Sequence, residues 1–102
     1  MHGQSDPNSQ WPDAGSIPLA RPDLTAVPLD ENVAIYDEVG QVLVMLNPTA
    51  AAVLERCDGA ATFEMIVNSL AADHDEDVET VRQDVWHTMR KLASIGLLVE
   101  AR

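Results

Sequence analysis

Apolar positions along this chain repeat in two ways, and the change from one to the other falls near residue 47. Before it, short apolar runs alternate with turn residues. Leu24-Thr25-Ala26-Val27 is β-prone, and Pro28 keeps it near a sheet edge. Val33-Ala34-Ile35-Tyr36 follows, then Asp37-Glu38-Val39-Gly40, which reads as a turn with Gly40 placed to take φ > 0. Gln41-Val42-Leu43-Val44-Met45-Leu46 is the strongest strand in the pattern, because it holds no breaker. Joined by the turn, the last two runs form a hairpin, and the first adds a third strand.

After residue 47 the spacing becomes helical. Asn47 is a good N-cap, and Pro48 suits the first helical position, where its missing N–H costs nothing. Ala50 through Cys57 favours helix, and Gly59 is placed as a left-handed stop. Thr62 caps a second helix, with Phe63, Ile66, Val67 and Leu70 on one stripe. A polar loop, Asp73–Asp77, leads to a third, in which Val78, Val81, Val85, Met89 and Leu92 share a face and Gly96 ends the run. Leu97-Leu98-Val99 adds a short extended piece. The predicted fold class is α+β: a winged-helix-like layout of three antiparallel strands followed by three helices, with the hairpin moved to the front.

Residues 1–20 break both patterns. Pro7, Pro12 and Pro18 stand among Gly, Ser, Asn and Asp, while Trp11, Ile17 and Leu19 follow no period. The expectation is a disordered Pro-rich tail over 1–20 and a folded domain over 21–102, since such a segment cannot offset its ordering entropy. Trp11 reads either as an incidental exposed aromatic or as a docking anchor.

Composition then excludes several function classes. Six Lys+Arg stand against 17 Asp+Glu, a net charge of −11, which opposes nucleic-acid binding. No apolar run is long enough for a transmembrane helix, and the N-terminus lacks a secretory pattern. With one cysteine, Cys57, there is no internal disulfide, and a cytoplasmic location is the simplest expectation. No catalytic constellation emerges. His2, His74 and His87 stand in no metal-ligand spacing, Cys57 has no neighbouring base and reads as a core thiol, and no phosphate-cradling glycine motif occurs. The acidic run Asp73–Glu79 lacks the glycine and spacing of a calcium loop, and reads as a solvated helix start. No metal, cofactor or enzymatic activity is therefore expected.

Three segments carry a family resemblance. Val44-Met45-Leu46-Asn47-Pro48-Thr49-Ala50-Ala51-Ala52-Val53-Leu54, then Asp58-Gly59-Ala60-Ala61-Thr62-Phe63-Glu64-Met65-Ile66, then Leu92-Ala93-Ser94-Ile95-Gly96-Leu97-Leu98 resemble, in order, the motifs of PqqD-like proteins. The resemblance implies a RiPP recognition element, a non-catalytic module for ribosomally made peptides. There the leader region of a precursor peptide adds as a strand and sends side chains into a cleft against the third helix. The module presents it to a modifying enzyme, such as a radical SAM enzyme or a leader peptidase. Two departures stand out: the Pro-rich tail is extra to the family core, and Cys57 replaces a usual aliphatic.

Transferred onto these residues, that mechanism places the peptide against Gln41, Val42, Leu43, Val44 and Met45 on the strand. On the helix it implies Val81, Arg82, Val85, Trp86 and Met89. An exposed strand edge offers unpaired backbone groups that an extended peptide satisfies. Val42, Val44 and Leu46 share one strand face, directed towards the helices. Arg82 pairs either with an acidic leader residue or with Glu79 on its own helix. Trp86 is either a boundary core residue or a groove wall. An open edge also leaves homodimer pairing available. The alternative reading is a winged-helix DNA-binding protein, which Glu79 and Asp84 on the third helix disfavour.

Overall fold

The computed structural model describes residues 11–101. The elements run β1 (Pro18–Ala20), β2 (Leu24–Leu29), β3 (Asn32–Asp37), β4 (Val42–Leu46), α1 (Pro48–Glu55), α2 (Phe63–His74), α3 (Val78–Ser94) and β5 (Leu98–Glu100). Strands β2, β3 and β4 form an antiparallel sheet in that order, and β1 pairs with β5 in a separate antiparallel ribbon. The α+β expectation of a three-stranded antiparallel sheet followed by three helices therefore describes the fold.

Local chemistry starts each helix where the sequence indicates. Asn47 Oδ1 accepts from Ala50 N at 2.8 Å, Thr62 Oγ1 from Met65 N at 3.1 Å, and Asp77 Oδ2 from Thr80 N at 3.1 Å. Each contact satisfies an N–H that a helix start otherwise leaves unpaired. The three helices bury one continuous apolar cluster against Ile35 and Leu46 of the sheet. Cys57 belongs to this cluster, as expected. Its Sγ–H donates to Val53 O at 3.1 Å, and burial pushes the thiol pKa up to about 12.

The turn between β3 and β4 differs in one detail. Gln41, at φ 54°, takes the left-handed conformation expected of Gly40. Gly40 sits close to Asp37 instead, since an added Cβ would lie 3.1 Å from Asp37 Oδ2. Asp37 organises the turn by accepting from Val39 N and Gly40 N at 3.1 and 3.3 Å. Its carboxylate also receives both Arg21 Nη groups, at 2.8 and 3.1 Å.

Those Arg21 bonds hold Asp37 below the usual carboxylate range, aided by the turn amides. A depressed folded-state pKa gives stability that is present above the unfolded-state value, near ~4, and lost as pH falls through the folded value. Thermal melts from pH 7 to pH 2.5 should therefore show Asp37→Asn melting below wild type at neutral pH. The gap should close as pH drops below ~4. A gap independent of pH would show that Asp37 acts by shape alone.

The N-terminal expectation is corrected for part of its length. Residues 1–10 lie outside the described residues, but 11–20 are folded. Phe63 N donates to Ser16 O at 2.7 Å and Glu64 N to Ala14 O at 3.3 Å, so this segment covers the start of α2. Trp11 Nε1 donates to Glu100 Oε1 at 2.8 Å, and Ile17 N to Glu100 Oε2 at 2.9 Å. Arg90 Nη1 donates to Trp11 O at 2.8 Å. Pro12, Ser16 and Pro18 are buried. The segment lacks periodicity because its order comes from partners far along the chain, not from neighbours.

Candidate functional site

The third strand of the sheet has an open edge. β3 pairs with one side of β4 through the register Val33↔Leu46, Ile35↔Val44 and Asp37↔Val42. Among the described residues no strand pairs with its other side. Backbone groups along that side have no sheet partner, which makes β4 a template for an added strand. Alternation divides its side chains. Leu46 is buried, and Val44 packs against the core cluster. Leu43 and Met45, on the opposite face, are 66% and 52% exposed. Val42, at the hairpin end, is 44% exposed although it shares the face of Val44. Gln41 precedes the strand and belongs to the turn.

Beside this edge lies a cleft of about 190 Å³. Val44, Met45 and Leu46 of β4, Asn47, Thr49 and Ala50 around the start of α1, Thr88, Lys91 and Leu92 of α3, and Ile95 just past its end line it. Its walls are apolar apart from two threonine hydroxyls, Asn47 and one ammonium. Asn47 is already engaged through Oδ1 in capping α1.

The helix half of the expected site is placed differently. Val81, Val85 and Met89 are 6%, 2% and 0% exposed, so they form core beneath the sheet and offer no surface to a ligand. Arg82 and Trp86 line a separate cleft of about 390 Å³ with Pro12, Asp13 and Phe63. Arg82 is held there by Glu79 at 2.5 Å and by Glu64. Both carboxylates raise its pKa further above the ordinary arginine value, with Glu64 the stronger influence. Arg82 thus pairs with Glu79 on its own helix, and Glu64 of α2 joins it. Trp86 packs partly against the core, its ring 4.8 Å from the Arg90 guanidinium and edge-on to His87.

Thr88, Lys91 and Ile95 are the cleft residues that periodicity did not single out. The apolar stripe of α3 locates its core face, but both flanks look alike in sequence. Packing against β4 on one side and the N-terminal segment on the other decides which flank meets the sheet. The only sequence signal was Ile95, an aliphatic beyond the end of the stripe.

Among the described residues no three His, Cys, Asp or Glu side chains cluster as a metal site. No described helix is long and apolar enough to cross a membrane. α3 exposes Glu79 and Asp84, and its Arg82 is engaged by carboxylates, so this face is poorly suited to phosphates.

The family model of coenzyme PQQ synthesis protein D (PqqD) matches residues 31–98. The chain belongs to the PqqD family. The PqqA binding protein of Rhodopseudomonas palustris strain CGA009 is 33% identical over 75 residues, covering 66% of this chain and 74% of that protein. Its counterpart in strain BisB5 matches to the same extent. Two solved structures share the fold. TbiB1 in complex with the TbiA(beta) leader peptide gives a TM-score of 0.68 at 20% identity, covering 78% of this chain and 93% of that one. Lasso peptide synthetase B1 complexed with the leader peptide gives 0.69 at 17%, covering 82% and 99%. In this PqqD-family chain the matched span holds β4, the cleft and α3, while β1 and the segment before it lie outside.

Proposed function

We propose that this PqqD-family chain is a non-catalytic, cytoplasmic carrier for the leader region of a ribosomally made precursor peptide. The leader adds as a strand along the open side of β4, and alternate side chains enter the cleft between β4, α1 and α3. The carrier holds the leader while a modifying enzyme, such as a radical SAM enzyme or a leader peptidase, acts on the remainder. One observation carries this reading: an unpaired strand edge and an apolar cleft lie side by side in a chain whose family relatives are PqqA binding proteins. Main-chain hydrogen bonds supply affinity that depends little on sequence, and the cleft supplies the choice among peptides.

The test is titration of the full chain with the leader of a precursor peptide encoded beside its gene, followed by amide NMR. Saturable binding on the order of tens of micromolar or tighter is expected, with the largest shifts in residues 42–46 and in the cleft-lining part of α3. Binding that leaves the β4 amides unmoved would defeat strand addition, and a folded sample that does not bind would defeat the carrier reading.

A further inference from the structure

The described cations of this acidic chain are mostly engaged. Arg21 is bonded to Asp23 and Asp37, Arg56 to Asp73, and Arg82 to Glu64 and Glu79. Arg90 lies over Trp86 and donates to Trp11 O. Lys91 is the exception. Its ammonium makes no ion pair or hydrogen bond with any described residue, although carboxylates outnumber cations 17 to six along the chain. It stands exposed in the wall of the β4 cleft, whose lining includes no carboxylate.

Resting on the strand-addition reading, we propose that Lys91 makes this chain selective for peptides that place an aspartate or glutamate at the strand position facing the last turns of α3. A lysine near the C-terminal end of α3 also complements the helix dipole, but that role suits a cation on any side of the last turn. Here the cation is on the flank that meets the open edge. The rest of the surface is acidic and repels further negative charge, so the favoured peptide has one carboxylate at this position and apolar, neutral or basic residues elsewhere. Lys91 is itself exposed at the rim of a cleft lined by Val44, Leu92 and Ile95, so its pairing is a rim ion pair that sets preference among peptides more than overall affinity.

The experiment selects a random peptide display library on the full chain and on Lys91→Arg, Lys91→Gln and Lys91→Glu. Wild type and Lys91→Arg should enrich an acidic residue at one position within an alternating apolar strand. Lys91→Glu should enrich Lys or Arg at that position. A synthetic wild-type-selected peptide should bind Lys91→Gln about three- to tenfold more weakly. Changing its acidic residue to the amide should weaken binding to wild type by the same factor and leave binding to Lys91→Gln unaltered.

The absence of any acidic preference, or one that persists unchanged on Lys91→Glu, overturns the proposal. If selected peptides shift the β4 amides without that preference, the assignment to Lys91 alone fails. Peptides that bind without shifting them, or a library that yields no binder, overturn the strand-addition reading and this proposal with it.

Discussion

Met89→Ala is expected to lower the unfolding free energy by about 2–5 kcal/mol, the usual cost of emptying a fully buried methionine site. Met89 is 0% exposed and sits within the cluster that joins the helices to Ile35 and Leu46. A small domain has only about 5–15 kcal/mol in total, so the variant should melt many degrees lower. Denaturant unfolding measures the loss. The same variant, assayed at a temperature where it remains folded, should keep most of its peptide affinity. A large loss of affinity with little loss of stability would return Met89 to the ligand surface and contradict the packing described above.

Thr88→Trp should have the opposite profile. Thr88 is half-buried and lines the cleft of about 190 Å³ beside β4. An indole there fills space that the incoming side chains need, while a helix surface accepts it at modest cost. Peptide affinity should fall at least about tenfold, with the melting temperature changed by only a few degrees. Calorimetric titration beside a thermal melt separates the two effects. Undiminished affinity in a folded Thr88→Trp protein would move the binding surface away from the cleft. Together the two substitutions test the division of α3 into a stripe that holds the fold and a flank proposed to meet the ligand.

That division marks the boundary of what the sequence made legible. Local signals were sufficient for the sheet and the helix starts. Asn47 and Thr62 announce their helices by chemistry that acts over three residues. Val44 and Leu46 reveal their inward face by alternation. The α3 stripe likewise identified Val81, Val85 and Met89 as apolar on one side. It could not distinguish a stripe that faces a ligand from one that faces the core, because burial depends on what the tertiary fold lays over it.

Arg82 illustrates the same limit. Glu79 is visible three residues away, but Glu64, on another helix, is not. The segment 11–20 was opaque for a related reason. Prolines and polar residues give it the composition of a tail, yet the partners of Trp11 and Ile17 meet at Glu100, 89 and 83 residues further on. Gln41, not Gly40, takes the left-handed conformation, a choice that turn composition does not resolve between neighbouring residues.

The ribbon in which Pro18 lies opposite Glu100, with the Trp11–Glu100 hydrogen bond, brings the two ends of the described region close together. Joining the ends by a short linker and reopening the chain between Asp30 and Glu31, in the hairpin that follows β2, would give a circular permutant with every strand pairing retained.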